Sequence, residues 1–157
     1  EAPNVIPDTC EMRGTVRTYT RETLDLIERR MGEITHGTAA TFGAECDFEF
    51  TRIYPSTVNH PAETAFAREV LTDLVGPDRL IVQAPIMAAE DFAFMLEKVP
   101  GSYSFIGNGD GDHRETGHGH GPCLVHNTSY DFNDALLPVG ASYLVRLAER
   151  WLATPRG

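Results

Sequence analysis

Apolar positions along this chain follow two different spacings. Residues 11–19, EMRGTVRTY, alternate strictly. Met12, Gly14, Val16 and Thr18 fall on one side, and Glu11, Arg13, Thr15, Arg17 and Tyr19 on the other. A period of two predicts a half-buried strand. Thr20 then reads as a helix N-cap. Leu24, Ile27, Met31 and Ile34 form one helical stripe, and His36-Gly37 predicts the helix end. Residues 44–54 return to alternation, with Ala44, Cys46, Phe48 and Phe50 against Glu45, Asp47, Glu49 and Thr51. Strand, helix, strand with one polar sheet face is half of a small two-layer α+β domain, and its other half is not in this chain.

Tyr54-Pro55 closes that module. Asn59-His60-Pro61 opens a helix with proline at its first position. Ala65, Phe66, Val70, Leu71 and Leu74 form its expected buried stripe, and Gly76-Pro77 stops it. Residues 80–82 are apolar without alternation, which predicts a strand buried on both faces. A helix over 90–98 should turn Phe92, Met95 and Leu96 inward, until Pro100-Gly101 breaks it. Residues 102–106 read as another buried strand. Residues 107–123 hold six glycines and three histidines and read as a loop. The last helix is expected over 138–152, with Val139, Tyr143, Leu144, Leu147 and Trp151 facing a core. Helices alternating with apolar strands from residue 60 onward predict part of an α/β layered domain. The boundary between the two modules falls near residues 55–61, and no internal repeat is visible.

Composition narrows the function classes. With 157 residues, 41% hydrophobic, the chain can build one ordinary core or two small ones. A net charge of -10 argues against a nucleic-acid backbone or an anionic membrane as partner. No apolar run approaches the ~18 residues that span a bilayer. Cys10, Cys46 and Cys123 are odd in number and far apart, which fits neither a disulfide framework nor a CxxC metal pair. A reducing, cytoplasmic compartment is expected. The opening EAPNVIPDTC reads as mid-protein sequence, so a fragment of a longer chain is expected.

Three places carry candidate chemistry. His113, His118, His120 and His126 lie close together, and a His-rich tract either binds metal or is a solvated loop. His126 differs from the other three. It follows the apolar pair Leu124-Val125 and precedes Asn127, Tyr130, Asp131 and Asp134, which can orient an imidazole. Glu90 and Asp91, in MAAEDFAF, sit where a strand hands over to a helix. Carboxylates there either satisfy the helix dipole or line a site at the carboxyl end of a strand. Arg13 and Arg17 share a polar strand face, and a guanidinium suits either a substrate carboxylate or a surface ion pair. The ion pair is the expected role of Arg13. Asn4, before Val5-Ile6-Pro7, has the chemistry of a turn residue. No GxSxG, P-loop or GxGxxG-plus-helix pattern is present, so nothing points to covalent nucleophilic catalysis.

Five segments resemble, in order, the C-terminal part of one enzyme family. They are NVIPDTCEMRGTVR (4–17), YPSTVNHP (54–61), APIMAAEDFAFML (84–96), FIGNG (105–109) and HNTSYDFND (126–134) with the helix after it. Each alone is weak, and the ordered set is specific. The family is the dinuclear-metal amidohydrolases, which includes aminoacylases, hippurate hydrolase, N-acyl-amino-acid amidohydrolases, plant auxin-conjugate hydrolases and glutamate carboxypeptidase. The resemblance implies an α/β catalytic domain with an inserted lid or dimerisation domain. Residues 1–56 are then the C-terminal half of the lid, and residues 57–157 the C-terminal part of the catalytic domain.

By the same resemblance His126 matches a metal ligand, and Glu90 and Asp91 match a Glu-Asp pair lining the metal pocket. Arg17 matches the lid residue that grips the substrate carboxylate, and Asn4 a lid position near the site. His113, His118 and His120 match no ligand. The implied reaction is hydrolysis of the amide bond of N-acyl amino acids, hippurate-like substrates or small peptides by metal-activated water. Two divalent ions per site are implied, Zn, Mn or Co, in an intact homodimeric parent. The family's remaining ligands and its general base match nothing here, so the chain alone is expected to be inactive. Two other readings stay open: a non-catalytic dimerisation or binding module, and an acidic metal-binding protein acting through His118 and His120. The stripes Leu24/Ile27/Met31 and Cys46/Phe48/Phe50 are expected to need partners.

Overall fold

The computed structural model describes residues 4–109, 125–126 and 130–154. Four α-helices order these residues: α1 (Arg21–Thr41), α2 (Pro61–Val75), α3 (Phe92–Leu96) and α4 (Leu137–Ala153). The chain divides into two compact units, Glu1–Thr57 with Pro85–Phe94, and Val58–Ala84 with Met95–Gly157.

In the first unit, Thr20 is extended (φ -131°, ψ 153°) and its side chain accepts from the Thr23 N–H at 3.2 Å. That satisfies one of the orphan donors that start any helix. The helix does not stop at His36-Gly37. His36 Nδ1 lies 2.7 Å from the Gly32 carbonyl and the helix continues to Thr41. The true stop is six residues on. The Gly43 N–H reaches the Ala40 carbonyl and the Ala44 N–H the Ala39 carbonyl, with Gly43 at φ +67°. These paired bonds around a left-handed residue form a Schellman cap, for which glycine carries no Cβ penalty. Gly37 at φ below zero can simply stay helical.

The segment after Gly43 lies along α1. Cys46, Phe48 and Phe50 are half-buried, while Glu45, Asp47 and Glu49 are exposed, so the period of two is real. A Cβ on Gly32 would lie 3.4 Å from the Phe48 ring, and Phe48 and Phe50 sit 6.3 Å apart. Arg52 fixes the far end, with Nε donating to Glu28 at 2.8 Å and Nη2 to Asp25 at 2.6 Å. Glu28 and Asp25, hydrogen-bonded to the Arg52 guanidinium, raise its pKa further above its ordinary value. Ser56 Oγ donates to the carbonyls of Thr18 and Tyr19 at 3.1 and 2.9 Å, joining the end of this segment to the start of α1.

In the second unit Pro61 opens α2, and Gly76 at φ +85° closes it by bonding the Thr72 carbonyl. The buried stripe runs through Ala67 and Val70 with Phe66, Leu71 and Leu74 half-buried, and Ala65 is exposed. α4 packs on α2 through Phe66 and Trp151, edge to face at 5.5 Å, a favoured aromatic geometry. Arg150 at the end of α4 pairs with both Asp73 (2.6 Å) and Glu69 (3.0 Å) on α2. Along α4 Val139, Tyr143 and Leu147 are half-buried as expected, whereas Leu144 is exposed.

The expected strands are not formed as sheet. Among the described residues no strand is assigned, so 11–19, 44–54, 80–82 and 102–106 run without a ladder. A strand is defined by its hydrogen-bonded neighbour, and none of these segments has one among the described residues. The expected burial of two of them fails with it. Ile81 is 89% and Val82 79% exposed, and Phe105 and Ile106 are also exposed. Met31 and Ile34 on α1, and Met95 on α3, are exposed as well. The buried apolar set among the described residues is Ala67, Val70, Ala93 and Leu96. Of the two apolar stripes expected to need partners, Leu24, Ile27, Cys46, Phe48 and Phe50 are half-buried and Met31 is exposed. No helix among the described residues is long and apolar enough to cross a membrane.

Candidate functional site

His126 is exposed and sits in a turn with Val125. Its backbone is left-handed, φ +72°, the one non-glycine residue in that region among the described residues. Left-handed backbone costs an L-residue about 1–2 kcal/mol, and residues held there gather at functional sites. His is among the types that enter this region most readily. Asn127 and the loop histidines His113, His118 and His120, with Cys123, lie outside the described residues.

Glu90 and Asp91 precede α3 in the first unit. Glu90 Oε1 accepts from the Phe92 N–H at 3.2 Å, and the Glu90 and Asp91 carbonyls receive the N–H groups of Ala93 and Phe94 at 3.3 and 3.0 Å. Glu90, half-buried, therefore starts the helix through its side chain, and Asp91 is exposed beside it. These bonds serve the start of α3.

The two arginines of 11–19 separate cleanly. Arg13 Nε donates to Glu11 at 2.7 Å, both side chains exposed. Arg17 is exposed and makes no ion pair among the described residues. Its guanidinium thus keeps five donors for an external acceptor, which is what capture of a carboxylate requires. Asn4 is exposed in a turn at the edge of the described residues.

Sequence reasoning missed an asparagine pair in the second unit. Asn108 Oδ1 accepts from the Asn133 N–H at 2.9 Å, and Asn108 Nδ2 donates to the Asp131 carbonyl at 2.9 Å. In return Asn133 Nδ2 donates to the Asn108 carbonyl at 3.3 Å, and its Oδ1 accepts from the Ala135 N–H at 3.2 Å. A third asparagine does similar work, since Asn59 bonds both the N–H and the carbonyl of Tyr103 at 2.7 and 2.8 Å. Beside it Gly101 donates to His60 Nδ1 at 3.2 Å, and the His60 N–H bonds the Gly101 carbonyl at 3.0 Å. The Asn-Gly step at 108–109 was the available signal, because it marks a turn whose side chain can bond backbone.

These residues do not build a metal site by themselves. Among the described residues no three His, Cys, Asp or Glu side chains gather. A catalytic zinc takes three protein ligands, more than these residues bring together. No step through a metal is therefore assigned to these residues.

The sequence pattern of peptidase family M20/M25/M40 matches residues 4–150. Among curated relatives, the chain is 32% identical over 156 residues to an IAA-amino acid hydrolase ILR1-like 5 of Arabidopsis thaliana, covering 97% of this chain and 34% of that protein. It is 33% identical over 150 residues to a hippurate hydrolase of Campylobacter jejuni, covering 95% of this chain and 36% of that protein. It is 33% identical over 105 residues to thermostable carboxypeptidase 1 of Saccharolobus solfataricus, covering 66% and 26%. The chain spans about a third of the length of the curated relatives it matches. With the match running over residues 4–150, the chain belongs to peptidase family M20/M25/M40.

Proposed function

We propose that the protein carrying this chain hydrolyses the amide bond of N-acyl amino acids, the hippurate-like class, or of small peptides. Family membership supports amide hydrolysis, and the relatives' names, hippurate hydrolase and IAA-amino acid hydrolase, support amino-acid conjugates. The observation that carries the substrate class is Arg17, whose guanidinium has no ion-pair partner among the described residues and suits the free carboxylate of such a conjugate.

In this reading Arg17 and Asn4 contact the substrate, His126 is a metal ligand, and Glu90 and Asp91 support the pocket. Members of this family are generally metal-dependent. Zn, Mn or Co, two per site, is the proposed complement, and its other ligands and the general base lie outside these residues. Residues 1–56 are the proposed lid half and 57–157 the proposed catalytic part of an α/β fold. A homodimer through the lid and a reducing, cytoplasmic compartment complete the proposal.

The test is turnover by the full-length protein of N-benzoylglycine and of its carboxamide. The expected result is release of benzoate, the product common to both substrates, from the acid and little from the carboxamide. Arg17→Ala should raise KM for the acid roughly 10- to 100-fold, as charge-assisted hydrogen bonds are lost. Equal turnover of acid and carboxamide contradicts the carboxylate reading.

A further inference from the structure

We infer that Asn108 and Asn133 form a clasp that fixes residues 131–135, ahead of α4 and close in sequence to His126, and so act as positioning residues of the hydrolytic site. The inference rests on the proposed function. It is carried by the reciprocity of the bonds. Each asparagine side chain holds the other's backbone: Asn108 accepts from the Asn133 N–H, and Asn133 donates to the Asn108 carbonyl. Asn108 also donates to Asp131, five residues after His126. The stretch 130–133 therefore has both its neighbouring carbonyl and its N–H fixed by side chains, where a sheet would fix them by a ladder. A backbone that has no ladder among the described residues needs such side-chain partners to hold one register.

Two further observations tie the clasp to close approach. Asn108 and Asn133 are half-buried, unlike the exposed Asp131, Phe132 and Asp134 around them. Gly109 stands at φ +73°, and a Cβ there would lie 3.2 Å from Asn133 Nδ2. Glycine at 109 is thus required twice, by backbone conformation and by the packing of the clasp. Asn133 also caps the turn that opens α4, since its Oδ1 accepts from Ala135. The clasp therefore joins three things: the loop after residue 104, the stretch that follows His126, and the N-terminal end of α4.

The two jobs of Asn133 can be separated. Asn133→Asp keeps a good capping oxygen but loses the donor to Asn108. Asn108→Ala removes both of that residue's side-chain bonds, and Gly109→Ala crowds the Asn133 amide while leaving both asparagines in place. In the full-length protein, each variant should lower kcat for N-benzoylglycine about tenfold or more with KM within about twofold, the scale for partners that orient a site residue. The ring resonance of His126 should shift in each, and the Asn133 amide should exchange faster in Asn108→Ala. Asn108→Ala and Asn133→Asp combined should cost less than the product of their single effects, because they break one unit. The control is Val70→Ala, which destabilises the second unit away from the clasp and should leave kcat and the His126 ring unchanged. Faster exchange with unchanged kcat and an unmoved His126 resonance overturns the inference, leaving the clasp merely structural. An equal kcat loss in Val70→Ala overturns it too. A wild-type protein that does not hydrolyse N-acyl amino acids defeats the functional reading itself, a result distinct from active variants that defeat only the clasp.

Discussion

Arg52 binds Glu28 across 24 positions of sequence, Nε donating to the carboxylate at 2.8 Å, and so fastens the end of an unladdered segment to α1. Asp25, one turn earlier on the helix, accepts from the same guanidinium. One cation bridging two helix carboxylates fixes register as well as charge. Both ends are largely exposed, so the bridge should govern local order more than global stability. Arg52→Ala is expected to speed amide exchange over 44–54 while lowering the thermal midpoint by only about 2 °C. The effect should shrink in 1 M salt, where screening is strong. Hydrogen exchange at low and high salt checks it, and a salt-independent effect would point to packing instead.

Gly32 offers a change of opposite sign. A Cβ there meets the Phe48 ring at 3.4 Å, ordinary contact distance. Glycine inside a helix costs roughly 0.5–1 kcal/mol relative to alanine. Gly32→Ala should therefore stabilise the chain by about that amount, whereas Gly32→Leu should displace Phe48 and destabilise it. Urea midpoints of the two variants report the signs directly.

Thr20 at the start of α1, Pro61 at the start of α2 and the Gly76 stop were all legible, because capping and proline chemistry are local. The end of α1 was not. His36-Gly37 carries the composition of a stop, but the decisive feature is the left-handed Gly43, which composition does not single out from Gly37. The alternation at 44–50 was legible, and Phe48 does turn toward α1. Burial of 80–82 and 102–106 was not, since apolar residues state what can be covered and not what covers them. Ile81 and Phe105 are open among the described residues. At the site, the ion pair of Arg13 was readable from the nearby Glu11. The role of Glu90 stayed open until its bond to the Phe92 N–H was seen. Asn108 and Asn133 are far apart in sequence, and the Asn-Gly step at 108–109 marks a turn without naming its partner.

Asn59 gives a sharper stability test than most exposed residues. It makes two short bonds to the one residue Tyr103, on both backbone groups. Asn59→Ala should destabilise by about 1–3 kcal/mol, and Asn59→Asp by less, since one acceptor survives. Equal losses in both would show that the donated bond to the Tyr103 carbonyl dominates.

Val70 is 2% exposed and is the largest fully buried side chain among those described. Val70→Ala should cost about 2 kcal/mol through lost transfer energy and the cavity left behind. A much smaller loss, read from denaturant midpoints, would mean that the α2–α4 contact collapses around the gap.

The 157-residue chain by itself offers one imidazole at the expected ligand position and no three-residue donor cluster among its described residues. It should release no amino acid from N-acyl substrates. The full-length protein should lose activity on chelation and regain it with Zn, Mn or Co. Activity of the isolated chain, or indifference of the full-length protein to a chelator, would contradict the proposed division of ligands.

The most direct measurement compares glycine release from N-benzoylglycine by the full-length protein and by its His126→Gly variant. Glycine accepts the left-handed backbone at φ +72° without penalty, so this change removes the imidazole while easing the main chain. The prediction is a variant at least as stable as the parent and about 100-fold or more slower. Equal rates from equally folded proteins would show that His126 holds nothing the reaction needs.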